Sequence, residues 1–148
     1  MTIYLGTDHV GFLLKESLKP FLEEIGYEVK DMGAYELNQD DDYPDFVTPV
    51  AKAVAGNPGV LGIILGGSGQ GEAMQANRFK GVRAAVFYGG GKEVLRKSKE
   101  HNNANILSLG VRFMDEETAK ESIRIWLGTS FSEEERHKRR IKKLDENN

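Results

Sequence analysis

The feature that most constrains this chain is a regular alternation of short β-type runs with helix-period segments. Ile3 to Thr7 is a β-type run that ends at Asp8-His9. Behind it, Leu14, Leu18, Phe21, Leu22 and Ile25 recur at the spacing of one apolar helix face. Pro20 is expected to kink or interrupt that helix, and Gly26 to cap it. Tyr27 to Lys30 reads as a second strand, and the polar, acidic stretch Leu37 to Asp42 as a loop. Asp45 to Ala55 reads as a helix. Val60 to Leu65 is a continuous apolar run, the pattern of a strand buried on both faces. It stops at Gly66-Gly67-Ser68-Gly69-Gln70-Gly71, and Glu72 to Arg78 is again helical in pattern. Ala84 to Tyr88 is a fourth strand, Lys92 to Glu100 a polar helix and Ile106 to Leu109 a fifth strand. Two further helices are expected over about 115–127 and 132–144.

This order predicts an α/β fold, a Rossmann-like three-layer α/β/α sandwich around a five-stranded parallel sheet. A length of 148 residues fits one domain spanning 1–148, with no linker and no repeat. In open parallel sheets ligands gather beyond the carboxyl ends of the strands. The stretches that matter are therefore Asp8-His9, Gly66 to Glu72, Gly89 to Gly91 and Gly110 to Arg112.

Composition narrows the chemistry. The chain has no cysteine, which excludes a disulfide framework, a thiolate metal site and a cysteine nucleophile, and suits a reducing cytoplasm. A formal net charge of −3 gives no general signal for nucleic acid. The longest apolar stretch is too short to cross a bilayer, and Met1 leads directly into a strand without a signal-like segment. A soluble, cytoplasmic protein with no membrane and no nucleic-acid partner is expected.

The loop Gly66 to Gly71 lies between a buried strand and a helix. Glycines there let a ligand approach the backbone and expose consecutive N–H groups, and a helix N-terminus adds partial positive charge. Such a loop suits an anion, either a phosphate or an enolate oxygen. The spacing is neither that of a Walker loop nor that of a dinucleotide fingerprint. A tight turn without a ligand is the plain alternative. Glu72 directly after the loop either complements the helix dipole, with Ser68 as a possible cap, or serves as a general base. The three histidines, His9, His101 and His137, lack the spacing of a helical zinc site, so a zinc site is not expected, and no motif calls for a cofactor. Ser132-Glu133-Glu134-Glu135 reads as a capping box that opens the last helix. Arg136, Arg140 and Lys143 then share one face, either as a phosphate clamp or as a solvated surface. That helix has little apolar face, so it is expected to pack on a partner subunit.

Taken in order, Thr7-Asp8-His9-Val10-Gly11-Phe12, Asp42-Tyr43-Pro44, Gly66 to Glu72 with Ala76-Asn77-Arg78, His101 to Asn105, and Arg136-His137 with Arg140 form a specific set. The set resembles the ribose-5-phosphate isomerase B family, which also contains the galactose-6-phosphate isomerase subunits, from Ile3 to about Leu144. The resemblance implies a metal-independent aldose–ketose isomerase acting on a phosphosugar. It implies a homodimer or a homotetramer with active sites shared between subunits. In one branch of the family a cysteine at the position of Gly66 is the base. In the other the base is a glutamate that matches Glu72, within the same G-G-S-G-x-G-E pattern.

Carried over residue by residue, Glu72, His101 and Ser68 match the catalytic positions: the base, the ring-opening residue and a hydroxyl that handles a substrate oxygen. Asp8, His9, Tyr43 and Asn102 match substrate-binding positions, and Gly67, Gly69 and Gly71 belong to the loop that would hold the developing oxyanion. Arg112, Arg136 and Arg140 match phosphate-binding arginines. The role of His137 in the same motif stays open. The expected reaction is interconversion of ribose 5-phosphate and ribulose 5-phosphate through an enediolate. A sibling isomerase of a tetrose or hexose phosphate, or a non-catalytic phosphosugar-binding module, are the alternatives.

Overall fold

The run Val60 to Leu65 does form a strand buried on both faces, and the rest of the molecule is arranged around it. The computed structural model describes residues 1–147. The strands are β1 (Thr2–Thr7), β2 (Glu28–Asp31), β3 (Val60–Gly66), β4 (Ala84–Phe87) and β5 (Ile106–Gly110). They form one five-stranded sheet in the order β2-β1-β3-β5-β4, with every pairing parallel. The helices are α1 (Phe12–Glu24), α2 (Pro44–Ala55), α3 (Gln70–Ala76), α4 (Glu93–Glu100), α5 (Glu116–Leu127) and α6 (Glu135–Leu144). Single 3₁₀ turns at His9–Gly11 and Val111–Phe113 follow β1 and β5.

Side chains alternate across a strand, so β3 feeds both halves of the core. Ile63 and Leu65 join Ile3, Leu5, Leu18, Leu22, Leu107, Ile123 and Trp126 under α1, α4 and α5. Val60 and Ile64 join Val47, Val50, Ala51, Val54 and Ile106 under α2. This gives the three layers expected from the alternation. A Cβ at Gly6 would stand 2.5 Å from the carbonyl oxygen of Phe46, and one at Gly62 would stand 2.8 Å from Val50 Cγ1. The two bare strand positions let α2 lie directly on β1 and β3, which sets where its first residues reach the sheet edge.

Two local expectations need correction. Pro20 does not interrupt α1. It is exposed, and the helix is held by Leu18, Phe21 and Leu22 buried on the opposite face. The helix ends in a Schellman motif, with Tyr27 N–H on Leu22 O and Gly26 N–H on Glu23 O, and Gly26 takes a φ of 101°. The last helix begins at Glu135 rather than at residue 132, and no capping box forms. Glu133 sits in the left-handed region at φ 65°, and Ser132 Oγ accepts from the N–H of Glu134 instead of capping a helix. Among the described residues no helix is long and apolar enough to cross a membrane.

Candidate active site

The three central strands end side by side, and the residues just beyond them converge. Thr7, Gly66 and Gly110 are the last residues of β1, β3 and β5 in the paired register. Gly66 pairs directly with Gly110, so Asp8-His9, the glycine loop and Arg112 share one rim. Thr7 Oγ1 donates to the Leu65 carbonyl at 3.0 Å and ties the first two turns together.

The glycine loop turns tightly because Gly69 adopts φ 78° and opens α3. Ser68 Oγ accepts from Gln70 N–H at 3.2 Å, which leaves its own proton free for a ligand. Behind the loop, the buried Ser108 Oγ donates to the Gly69 carbonyl at 2.7 Å. Arg112 N–H donates to the Gly67 carbonyl at 3.1 Å, and its guanidinium lies across Gly67. The Tyr43 hydroxyl, at the N-terminus of α2, lies where a Cβ on Gly71 would be, 2.5 Å from that position. Gly67, Gly69 and Gly71 thus each carry a neighbour that any larger residue would displace.

Glu72 is the only acidic residue in the first turn of α3, and it is 5% exposed. It does not point along the helix dipole into solvent. Its carboxylate folds back over Gly66 and fills the space that a side chain there would occupy. A residue at position 66 and Glu72 therefore present their functional atoms at one place. Burial pushes the Glu72 carboxyl above its ordinary range, its own backbone N–H pulls partly the other way, and the nearby negative Asp8 pushes it further up. Asp8 is raised as well, first by burial, although the Val10 N–H and the positive His9 and Arg112 oppose this.

His9 is gripped by a residue the sequence did not single out. Asp41 Oδ1 accepts the His9 backbone N–H at 3.0 Å and meets ring Nδ1 at 2.6 Å. Asp8, His9 and Asp41 each bring one ligand-type atom within 4.8 Å of the others. Because the His9 nitrogen and the Asp41 oxygen already bind each other, the cluster is a hydrogen-bonded pair backed by a second carboxylate rather than an open coordination shell. Ser108 is the other residue missed. Asp41 lies in a run of three aspartates and Ser108 inside an apolar strand, so neither carried a signal in the sequence.

The remaining sequence candidates lie elsewhere. His101 and Asn102 follow α4, which runs antiparallel to the strands and ends at the amino edge of the sheet. Ala104 N–H returns to Ser98 O there, and Arg83 Nε, ahead of β4, donates to Asn103 O. α6 lies along the same edge. The Ser132 N–H bonds Glu100 O, and Asp145 Oδ1 accepts the Gly81 N–H. His137 is the only buried residue of α6 and stacks on His101 with centroids 4.3 Å apart and 15° between the rings. Burial and that neighbouring ring hold His137 below the ordinary imidazole range. Arg136 and Arg140 are exposed on this helix. Within one chain, His101, Asn102, Arg136 and Arg140 are separated from Glu72 by the length of β5, about 17 Å at roughly 3.3 Å per residue.

Fold and rim together define a class: an α/β enzyme with a buried carboxylate poised beside an amide-lined loop, which is the equipment of proton transfer next to a carbonyl. The family model described as Ribose/Galactose Isomerase matches residues 3–144. Ribose-5-phosphate isomerase B of Mycobacterium leprae is 39% identical over 146 residues, covering 99% of this chain and 89% of that protein. The Escherichia coli protein of the same name is 39% identical over 142 residues, covering 96% of this chain and 93% of that one. The structure of ribose-5-phosphate isomerase B from Mycoplasma genitalium with bound ribulose-5-phosphate is similar with a TM-score of 0.92 at 34% identity, covering 99% of this chain and 95% of that one. The chain belongs to the ribose/galactose isomerase family, and it is an aldose–ketose isomerase.

Proposed function

We propose that this protein interconverts ribose 5-phosphate and ribulose 5-phosphate through an enediolate, without a metal, using Glu72 as the base. The observation that carries this reading is the Glu72 carboxylate, buried over Gly66 at the mouth of β3 and beside the loop amides. A carboxylate whose pKa is raised by burial is a stronger base than an ordinary glutamate. Opening the sugar ring exposes a carbonyl and acidifies the C2 proton. Glu72 takes that proton and returns it at C1, while the hydroxyl proton passes from O2 to O1 so that the enediolate collapses to the ketose. The loop containing Gly67, Gly69 and Gly71 would hold the oxygen that becomes negative through its N–H groups, with Ser68 as a further donor. One such donor is worth about 3 kcal/mol. Arg112 supplies positive charge on the same rim, while Asp8, His9 and Tyr43 line it.

Ring opening and phosphate anchoring need groups that the same chain keeps at its other edge. We therefore assign His101 and Asn102, with Arg136 and Arg140, to the site of a second copy in a two-fold dimer or a tetramer. A two-fold axis beside β4 turns the amino edge of one copy toward the carboxyl edge of the other. Exposed apolar side chains on the elements around that open strand support this: Tyr88 just after β4 is 48% exposed, Val94 on α4 59% and Met74 on α3 65%. A phosphosugar substrate fits a cytoplasmic setting.

The test is proton NMR of ribose 5-phosphate in D₂O with purified protein and EDTA. Conversion to ribulose 5-phosphate with deuterium at the exchanging carbon is expected. Conversion without deuterium removes a solvent-exchanging enediolate. No conversion shifts the assignment to tetrose or hexose phosphates, and failure with those leaves a phosphosugar-binding module.

A further inference from the structure

Asp41 lies in the loop between β2 and α2, and its side chain is 9% exposed. One oxygen makes both contacts to His9, while Oδ2 is buried without a hydrogen-bond partner. A buried polar oxygen is costly unless a donor or cation faces the group. Among the described residues His9 is its one ion-pair partner. The backbone bond fixes where His9 starts its 3₁₀ turn, and the ring contact fixes how the imidazole is rotated. A histidine held through Nδ1 presents Nε2 on its far side. The His9 ring is 27% exposed, so that side opens onto the rim.

We propose that Asp41 is a positioning residue, which holds His9 through its backbone N–H and Nδ1, favours the charged ring and turns Nε2 toward the bound phosphosugar. This rests on the isomerase reading above. Three charged groups face the ring: Asp41 from the loop, Asp8 from the preceding residue and Arg112 from the turn after β5. The Asp41 contact raises the His9 pKa most; burial opposes it, Asp8 adds to it and Arg112 subtracts. The two carboxylates prevail, and His9 titrates above its ordinary value. The contacts of Asp41 Oδ1 are both to His9, one to its backbone N–H and one to its ring.

The test joins a spectroscopic readout to a kinetic one. Long-range ¹H–¹⁵N spectra of labelled protein follow the His9 ring through a pH titration. The wild-type midpoint is expected above 6.5, and in Asp41→Asn it falls toward that value. Asn keeps an acceptor for the His9 backbone N–H, so the loop anchor is retained. Asp41→Glu, which keeps the charge, is expected to restore a raised midpoint. In steady-state assays Asp41→Asn is expected to raise KM about tenfold with kcat within about twofold. His9→Asn combined with Asp41→Asn is expected to be no worse than His9→Asn alone. An unchanged His9 titration in Asp41→Asn, or KM effects that multiply in the double variant, overturns the proposal. A shifted titration in a protein that turns over no phosphosugar leaves the Asp41–His9 pairing intact and removes the isomerase reading instead.

Discussion

A single methyl group at Gly66 is expected to disable the enzyme while leaving its fold intact. A Cβ built there overlaps Oε1 and Cδ of Glu72 and stands 2.7 Å from Oε2, whereas ordinary contact begins near 3.4 Å. All three atoms belong to the end of one flexible side chain. The φ of Gly66 is not in the left-handed region, and its pairing with Gly110 in the β3–β5 ladder needs no side chain. Gly66→Ala therefore spares the backbone and evicts the carboxylate. Because the whole carboxylate must shift by more than about 1 Å, and a misplacement of that size costs roughly 10²-fold, kcat should fall by 10²-fold or more, about 3 kcal/mol of barrier. The assay is ribulose 5-phosphate formation at saturating substrate, with circular dichroism and thermal melting as controls. Adding Glu72→Gln to Gly66→Ala should cost little more, since both remove one function. Near-wild-type kcat in a folded Gly66→Ala variant would refute the placement of the base over this glycine.

Other expectations follow from the same geometry. Because burial raises Glu72, the kcat/KM profile should climb with pH through a midpoint above the ordinary 4.5, and a midpoint at or below that value contradicts the burial argument. A carboxyl whose folded pKa is raised favours the native state below its unfolded pKa and loses that contribution as pH rises through the folded value. Glu72→Gln should therefore melt higher than wild type at neutral pH, with the gain vanishing in acid; an equal gain at both pH values counts against it. Arg140→Ala should mainly raise KM for the phosphosugar, and an unchanged KM marks α6 as a solvated surface. Lys15 is fully buried and reaches both oxygens of Asp31 at 2.7 Å, with Lys19 at 2.8 Å. Burial opposes ionisation of Asp31, but the two ammonium groups overcome it and hold its carboxyl below the usual range. Asp31→Asn, which strands the Lys15 charge, should cost about 3–5 kcal/mol in urea unfolding. A cost under about 1 kcal/mol would show that Lys15 finds water instead.

The parts of the fold that were legible in the sequence are those in which one residue pattern has one solution. An unbroken apolar run followed by glycines could only be the central strand and its loop, and β3 lies where Val60 to Leu65 placed it. Helix ends were less legible because they depend on partners distant in sequence. Ser132 has the spacing of a cap, yet its own N–H is taken by Glu100 O, and the chain turns at Glu133 before α6 can start. Of the candidate site, Glu72 was identifiable as an acidic residue directly after the glycine loop. That its carboxylate occupies the side-chain space of Gly66 is a matter of three dimensions. Asp40, Asp41 and Asp42 look alike in the chain, and only the return of the loop to β1 sets Asp41 against His9. The motif containing His101 and the arginines was visible, but the direction of α4 puts it at the far edge of its own sheet. Sequence order cannot convey that separation.

The most direct test is complementation between two inactive variants, Glu72→Gln and His101→Asn. Each is expected to be inactive alone, since each lacks one member of every site. Unfolded together and refolded, half of the dimers are mixed, and each mixed dimer rebuilds one intact site from Glu72 of one chain and His101 of the other. Recovery of about a quarter of wild-type kcat is expected. Activity that stays at the level of the separate variants, in a preparation shown to contain mixed dimers, would contradict a site completed by a second copy.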